Sequence, residues 1–176
     1  MPRTCKKCPA LHNRCAAEAS PFRYGMDAMK TILVPVDFSP ATTRVCDAAE
    51  SLARLIGARL VFFHVIQTPP FLYNDYYSFD TGTMAEVVSA GEKAAEAKLK
   101  SLCRRYAKKN PGLEIRQIQG APIQTILKEA KSLKASYVVM GSHGHGAVFD
   151  LLVGSTTHGV LRKALCPVLV VPINPR

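Results

Sequence analysis

Apolar residues follow two different patterns along the chain from residue 29 onward. Near-continuous apolar runs at 30–36, 59–66, 136–140 and 167–172 have the length and composition of strands buried on both faces of a parallel sheet. Residues 113–118 instead alternate apolar and polar positions, which predicts a strand with one exposed face. The chain therefore contains five predicted strands.

A segment with helical spacing follows each of the first four strands. Ser39 is expected to cap the first helix, Pro40 to occupy its first position and Gly57 to end it. Three more helices are predicted over about 84–109, from 120–122 onward, and from a cap at Ser155 to about 165. This alternation predicts an α/β domain with an open parallel sheet and right-handed crossovers. The expected buried positions of the first three helices are Val45, Ala48, Ala49, Leu52, Leu55 and Ile56; Val88, Ala95, Leu99, Leu102 and Tyr106; and Ile123, Ile126, Leu127, Ala130 and Leu133.

Residues 1–28 precede this pattern and are expected to form a disordered extension of a domain at 29–176. Their possible metal ligands are Cys5, Cys8, His12 and Cys15. Only three residues separate Cys8 from His12, which is a shorter spacer than closed zinc sites use, so no zinc is expected. The alternative is that translation begins downstream of this segment.

Composition is that of a globular protein, with 48% apolar and 20% charged residues. No apolar run approaches the roughly 18 residues of a membrane helix, and no signal-peptide core stands near residue 1. We expect a cytoplasmic protein with no membrane partner.

The formal net charge is +10, and six basic residues gather within 98–109. Such a cluster is typical either of an anion-binding face for nucleic acid or of a solvated helix whose cations favour its C-terminal end. No stacking aromatics interleave the cluster, as single-strand binders require, so nucleic acid is not an expected partner.

Glycines are concentrated in the stretch "GSHGHGAVFDLLVGST" at 141–156. Its spacing fits neither a P-loop, which ends in a Lys-Ser/Thr pair, nor the GxGxxG dinucleotide motif. Gly154 and Ser155 open a helix whose unpaired amides attract an anion, and Thr156 adds a hydroxyl. Composition alone leaves a phosphate cradle and a simple chain reversal equally open.

Asp37 stands at the carboxyl end of the first strand. Ligands of open parallel sheets bind beyond the carboxyl ends of strands where the strand order reverses. If the first and fourth strands are neighbours, Asp37 therefore faces the glycine stretch across one crevice. The other interpretation is that Asp37 caps the next helix.

Several histidines could belong to other kinds of site. His143, His145 and His158, with Asp150, have a spacing that supports a metal site only weakly, and none is expected. His64 lies inside the second strand and is expected to be a hydrogen-bonded core histidine. No nucleophile and base stand in a catalytic arrangement, so no catalytic residue is predicted.

Four separated motifs resemble the universal stress protein family. They are "ILVPVDFS" in the first strand, "HV" in the second, "GAP" before the third helix, and "VVMGSHGHGAVFDLLVGSTTHGVLRKALCPVLVVP" near the end. The family signature Gly-x2-Gly-x9-Gly-Ser/Thr is matched by Gly141, Gly144, Gly154 and Ser155. The resemblance covers residues 29–173.

The resemblance implies a fold and a ligand. The fold is Rossmann-like, of the adenine nucleotide α-hydrolase-like type, with strand order 3-2-1-4-5 and helices on both faces. The ligand is ATP, with or without Mg2+, because family members that keep this glycine signature bind ATP. The positions that carry over as nucleotide-binding are Pro35, Val36, Asp37, Val65, Met140, Gly141, His143, Gly144, Gly154, Ser155 and Thr156.

The resemblance also implies a stress-response regulator or binding module that forms a homodimer through the last strand, with a downstream protein partner that the sequence does not name. The alternatives are a slow ATP hydrolase and a nucleotide-free dimeric interaction protein. The chain departs from the family pattern after Gly144, where similar proteins usually carry a basic or hydroxyl residue and often a basic one further along. Here the positions are His145, Gly146 and Ala147, followed by Asp150. This departure predicts weaker ATP binding, or binding that depends on pH through His145.

Overall fold

A computed structural model describes residues 29–67, 81–142 and 153–172, and within 81–87 it describes the side chain of Glu86 alone. The predicted extension at 1–28 lies outside the described residues. In the part of the chain that the structure describes, none of the helices combines the length and apolar character needed to cross a bilayer. The elements are β1 (Thr31–Pro35), α1 (Thr42–Ile56), β2 (Arg59–Ile66), α2 (Thr81–Tyr106), β3 (Glu114–Gln119), α3 (Pro122–Ser132), β4 (Tyr137–Gly141), α4 (Ser155–Lys163) and β5 (Val168–Val171).

The five strands form one parallel sheet in the order β3-β2-β1-β4-β5, which confirms the predicted fold and strand order. In register, Ile32 of β1 lies opposite Leu60 of β2 on one side and Tyr137 of β4 on the other. The chain leaves β1 toward β2 but reaches β4 only after β3, so the strand order reverses between β1 and β4. The carboxyl ends of these two strands consequently stand side by side at the switch point.

Both faces of the sheet are covered, which explains the continuous apolar runs. Ile32 and Val34 of β1 pack in a core with residues of α1 and α2, including Val45 and Leu99. Leu33, between them, packs on the opposite face with residues of α3 and α4 such as Ile126 and Val160. Successive side chains of a strand point to opposite faces, so a strand between two helical layers is apolar at every position.

The start of α1 differs from the prediction. The helix begins at Thr42 with Ala41 as its cap, and no side chain caps it. The carbonyl of Ser39 accepts the Thr42 N–H at 3.0 Å, while the Ser39 N–H donates to Asp37 Oδ1 at 3.0 Å. Ser39 is therefore part of a turn that precedes the helix, because Asp37 engages its backbone. At the other end, Gly57 has φ 65° and ends α1 as predicted.

Two further predictions on the helices are wrong. Leu55 was expected on the buried face of α1 but is 82% exposed. It follows the buried Ala53 by two residues, and two residues correspond to about 200° around a helix. Ser155 is the first residue of α4 and Gly154 is its cap, with no side-chain hydrogen bond, because the backbone turns one residue earlier than expected.

Candidate functional site

A cavity of about 440 Å3 lies at the carboxyl ends of the strands around the switch point. Its walls come from the ends of β1, β2 and β4 and from the first residues of α1, α3 and α4. Its volume falls within the range of pockets that hold small-molecule ligands. The described lining residues are Pro35, Val36, Asp37, Ser39, Ala41, Thr42, Val45, Phe63, His64, Val65, Gln67, Pro122, Ile126, Met140, Gly141, Gly154, Ser155, Thr156 and Thr157.

Most of the predicted site positions meet in this cavity. Nine of the eleven line it, namely Pro35, Val36, Asp37, Val65, Met140, Gly141, Gly154, Ser155 and Thr156. The other two, His143 and Gly144, lie outside the described residues. The structure thus brings residues 35–37 and 154–156, which are far apart in sequence, to one place.

Asp37 lines the same cavity as Gly141 and Gly154, and its carboxylate holds the turn before α1 without capping the helix. It is exposed on the cavity wall, and its Oδ1 accepts the Ser39 N–H at 3.0 Å and the Thr42 hydroxyl at 3.4 Å. These bonds fix the carboxylate at the start of α1. The same side chain therefore holds the turn and lines the cavity.

His64 was expected to be a hydrogen-bonded core residue, and its Nδ1 does lie 2.8 Å from the Val36 carbonyl oxygen. It is only half-buried, however, and it lines the cavity. The Phe38 ring packs on it at 4.4 Å between ring centroids. The sequence did not place His64 at the site, although its position near the carboxyl end of β2 is the signal that could have done so.

Three helices present their N-terminal ends to the cavity. Pro122 begins α3, Ser155 and Thr156 begin α4, and Ala41 and Thr42 stand at the start of α1. None of these helices carries an acidic residue in its first turn. Their unpaired amides and positive dipole ends are therefore available to an anionic ligand.

Two hydrogen bonds to backbone carbonyls hold α4 in place beside β4. The Thr157 hydroxyl donates to the Gly141 carbonyl at 2.8 Å, and the Gly154 N–H donates to the Ser142 carbonyl at 2.8 Å. Gly154 has φ −56° and ψ 154°, which any residue can adopt. Glycine at this position is thus not required by the backbone, and Gly154 lines the cavity without a side chain.

The charge of the cavity is low. Among its described lining residues Asp37 is the sole carboxylate, and none is Lys or Arg. Nor do the described residues contain a group of three or more His, Cys, Asp or Glu side chains placed to share a metal ion. The wall offers amides, hydroxyls, one carboxylate and one imidazole. That set of groups suits the binding of a polar, partly anionic ligand beside an apolar surface.

Ten of the nineteen described lining residues were not among the predicted site positions, and four of these, besides His64, have polar side chains. They are Ser39, Thr42, Gln67 and Thr157. Each follows a strand end or opens a helix at the carboxyl edge of the sheet, and this placement is the signal that could have identified them.

An open parallel sheet with a cavity at its switch point is the architecture of doubly wound nucleotide-binding folds. A sequence profile of the universal stress protein family matches residues 29–172. Universal stress protein A homolog 1 of Coxiella burnetii is 31% identical over 142 residues, which span 81% of this chain and 95% of that protein. The chain belongs to the universal stress protein family.

Solved structures show the same fold. Universal stress protein UspA from Lactobacillus plantarum has a TM-score of 0.68 and 26% identity, over 82% of this chain and 99% of that one. A universal stress protein in complex with cAMP has a TM-score of 0.62 and 23% identity, over 84% of this chain and 99% of that one.

Proposed function

We propose that the protein binds an adenine nucleotide, and ATP in particular, in the cavity at the carboxyl ends of β1 and β4. The observation that supports this most strongly is the convergence of three helix N-termini, free of acidic first-turn residues, on a cavity that also holds Asp37. A phosphate group finds its strongest backbone partners at helix N-termini. The function that follows is a cytoplasmic stress-response module whose nucleotide occupancy is transmitted to a protein partner.

The two ends of the cavity suit the two ends of a nucleotide. Pro35, Val36, Val65 and Met140 supply apolar surface for the base. Asp37 would accept a hydrogen bond from the exocyclic amine of adenine or from a ribose hydroxyl.

At the opposite end, Gly154, Ser155 and Thr156 would hold the phosphates with backbone amides and hydroxyls. His143 and Gly144 belong to the same proposal on the basis of the family signature alone. A universal stress protein of the same fold was solved in complex with cAMP, which supports an adenine nucleotide as the class of ligand.

The lack of basic side chains in the described cavity lining limits the affinity that we expect for ATP. With no Lys or Arg among the described lining residues, the phosphates would depend on amides, hydroxyls and helix dipoles. Mg2+ would lower the charge of the triphosphate when it accompanies ATP, coordinated mainly by the phosphates and water. We expect an affinity in the micromolar range, and stronger binding of ATP when Mg2+ is present.

The test is to denature freshly purified protein and identify any released nucleotide by chromatography and mass. Released ATP supports the proposal, whereas release of ADP or AMP alone would indicate slow hydrolysis. Protein that is empty and shows no heat of binding with ATP, ADP, AMP or cAMP would overturn it.

A matched pair of variants assigns the ligand to the cavity. Gly154→Val places a side chain on the cavity wall, in a backbone conformation that valine can adopt, and should weaken ATP at least about tenfold. Gly91→Val changes an α2 glycine that has open space around it, and should leave ATP affinity unchanged. Equal losses in the two variants would contradict binding in this cavity.

We also propose that the protein forms a homodimer through β5. This strand lies at the edge of the sheet, and Leu169 on it is 41% exposed. Leu161 and Leu165, which precede it, are 42% and 77% exposed. An apolar edge strand favours pairing with a second chain. Sedimentation velocity should show a dimer, and Leu169→Lys should shift it toward monomer; a monomeric wild-type protein would overturn this proposal.

A further inference from the structure

The amino edge of the sheet, opposite the cavity, is where all four helices end. Each carries basic residues in its last turn: Arg54 in α1, Arg104 and Arg105 in α2, Lys131 in α3, and Arg162 and Lys163 in α4. Lys108 and Lys109 follow α2, and Lys134 follows α3. These nine exposed cations, here called the basic end face, come from helices on both sides of the sheet.

Compensation of helix dipoles is the ordinary reason for cations at helix C-termini. The same effect favours Asp and Glu in the first turn, yet none of the four helices has an acidic residue there. The charge is thus displaced toward one end of the molecule instead of being balanced along each helix. Dipole compensation alone does not account for this one-sided distribution.

Carboxylates near the amino edge do little to neutralise the basic end face. Glu114, at the start of β3, lies 2.6 Å from Arg116 Nε and 3.4 Å from Arg59 Nη1. Glu129, in the last turn of α3, is 7% exposed and pairs with Arg116. Both carboxylates are therefore engaged by arginines of β2 and β3, and the nine cations keep their field toward solvent.

The side chains around these cations indicate which class of polyanion the basic end face can bind. Tyr106 is the aromatic residue within the basic part of α2, but it is 2% exposed and cannot stack on an unpaired base. Leu55 is exposed beside Arg54 of α1, and Leu161 and Leu165, beside the cations of α4, belong to the proposed β5 dimer surface. On α2, by contrast, none of the described side chains is an exposed large apolar residue that could insert into lipid. The α2 part of the basic end face, Arg104, Arg105, Lys108 and Lys109, is therefore an array of point charges, which suits the regularly spaced phosphates of a duplex.

We propose that the basic end face binds the phosphate backbone of double-stranded nucleic acid without reading its sequence. The α2 cluster by itself was interpreted as a solvated helix end because it lacks the stacking aromatics of single-strand binders, whereas the fold adds the ends of three other helices to it. This surface lies opposite the cavity, and the proposal does not rest on nucleotide binding.

The test uses the full chain and a labelled DNA duplex of about 25 base pairs, followed by fluorescence anisotropy at several salt concentrations. If about five of the nine cations contact phosphates, the slope of log K against log salt should be about −4 to −5. Affinity should then fall by a few hundredfold between about 50 and 200 mM salt.

Two double variants remove the same charge from different places. Lys108→Gln with Lys109→Gln removes two cations of the basic end face and should make the slope shallower by about 1 to 2. Arg44→Gln with Lys93→Gln removes two exposed cations outside the basic end face, one near the start of α1 and one in the middle of α2, and should leave the slope within about 0.5. Both variants retain residues 1–28, so any binding by that segment is common to them.

Three outcomes would overturn the proposal. One is the absence of duplex binding by the wild-type protein at about 50 mM salt. Another is an equal change of slope in the two double variants, which would mean that only net charge matters. The third is salt-dependent binding to phosphatidylserine vesicles without binding to the duplex, which would identify a lipid surface as the partner.

Discussion

His64 Nδ1 lies 2.8 Å from the carbonyl oxygen of Val36, one residue before the proposed ligand Asp37. A carbonyl oxygen can only accept, so Nδ1 carries the proton in this bond. The Val36 N–H in turn donates to the Phe63 carbonyl at 2.8 Å, which holds Val36 to β2 from both sides. Phe38 follows with φ 59°, which is uncommon outside glycine, and its ring packs on His64. His64 thus stabilises the turn that places Asp37 at the cavity.

Two replacements of His64 should distinguish the effect of its hydrogen bond to Val36 from the effect of its ring contact with Phe38. His64→Leu leaves the Val36 carbonyl without this donor and should lower the free energy of unfolding by about 1–3 kcal/mol. It should also weaken ATP severalfold, because the Asp37 turn loosens. His64→Asn keeps an N–H donor near the Nδ1 position and should retain most of the ATP affinity. Urea unfolding and calorimetric titration measure both effects, and unchanged ATP affinity in His64→Leu would show that the bond does not position Asp37.

Asp37→Asn tests the carboxylate without dismantling the turn. The amide oxygen of Asn can still accept from the Ser39 N–H, so stability should change little. Loss of the charge should weaken ATP about tenfold, or about 1.4 kcal/mol, if adenine or ribose donates to this group.

Asp47→Asn is the matched control for that variant. Asp47 lies in α1, the helix that follows Asp37, but it accepts from the Tyr106 hydroxyl at 2.6 Å and is absent from the described cavity lining. Calorimetric titration of ATP should give the wild-type affinity in Asp47→Asn. Equal affinities of the two variants would remove Asp37 from the proposed site.

The strands could be predicted within one or two residues because burial on both faces permits only apolar side chains along them. Residues 59–66 were predicted as a strand and form β2. The helix starts could not be predicted as closely. They depend on local hydrogen bonds, such as that from the Ser39 N–H to Asp37 Oδ1, which replaces the expected cap.

The cavity could be predicted only in part, because some of its residues belong to sequence motifs and others reach it only through packing. The first-strand and glycine-stretch residues were placed by motif, and the strand order brings them together. Thr42 and Thr157 belong to no motif and become lining residues only through the packing of α1 and α4. Only the α2 part of the basic end face is visible along the sequence, as the cluster within 98–109, and the topology adds the members that lie as far away as Arg54 and Lys163.

Two helix glycines should respond in opposite directions to the same substitution. A Cβ at Gly91 would meet nothing within 4 Å, so Gly91→Ala should stabilise the protein by about 0.5–1 kcal/mol through helix propensity. A Cβ at Gly159 of α4 would overlap the Cδ1 of Ile123 and lie 3.0 Å from its Cγ1. Gly159→Ala should therefore destabilise by about 1 kcal/mol despite the better propensity.

A second substitution identifies the cause of the Gly159→Ala loss. Ile123→Val removes the overlapping methyl group, and in combination with Gly159→Ala it should recover part of the lost stability. Urea unfolding of the four proteins measures these differences. A stabilising Gly159→Ala, or no recovery in the double variant, would show that α3 and α4 move apart at no cost.

Cys46 makes stability depend on pH in the alkaline range. Burial, followed by the nearby Asp47 carboxylate, raises the pKa of this thiol from 9.0 to about 12. Between these values the folded protein keeps a proton that the unfolded chain releases. Stability is therefore full below pH 9 and is lost as pH rises toward 12, by at most about 1.4 kcal/mol per pH unit.

The comparison with Cys46→Ala isolates this contribution from the titration of other groups. The variant should be less stable than wild type at pH 7, because a buried side chain is shortened, but its stability should fall less steeply above pH 9. Urea unfolding at pH 7 to 10.5 gives both curves. Burial, the Asp47 hydrogen bond and the charge of Cys46 also raise the pKa of Tyr106 from 10.0, so the two proteins are compared chiefly between pH 9 and 10, where Tyr106 stays largely protonated in the folded and unfolded chains. Parallel curves would mean that the Cys46 thiol titrates alike in the folded and unfolded chains.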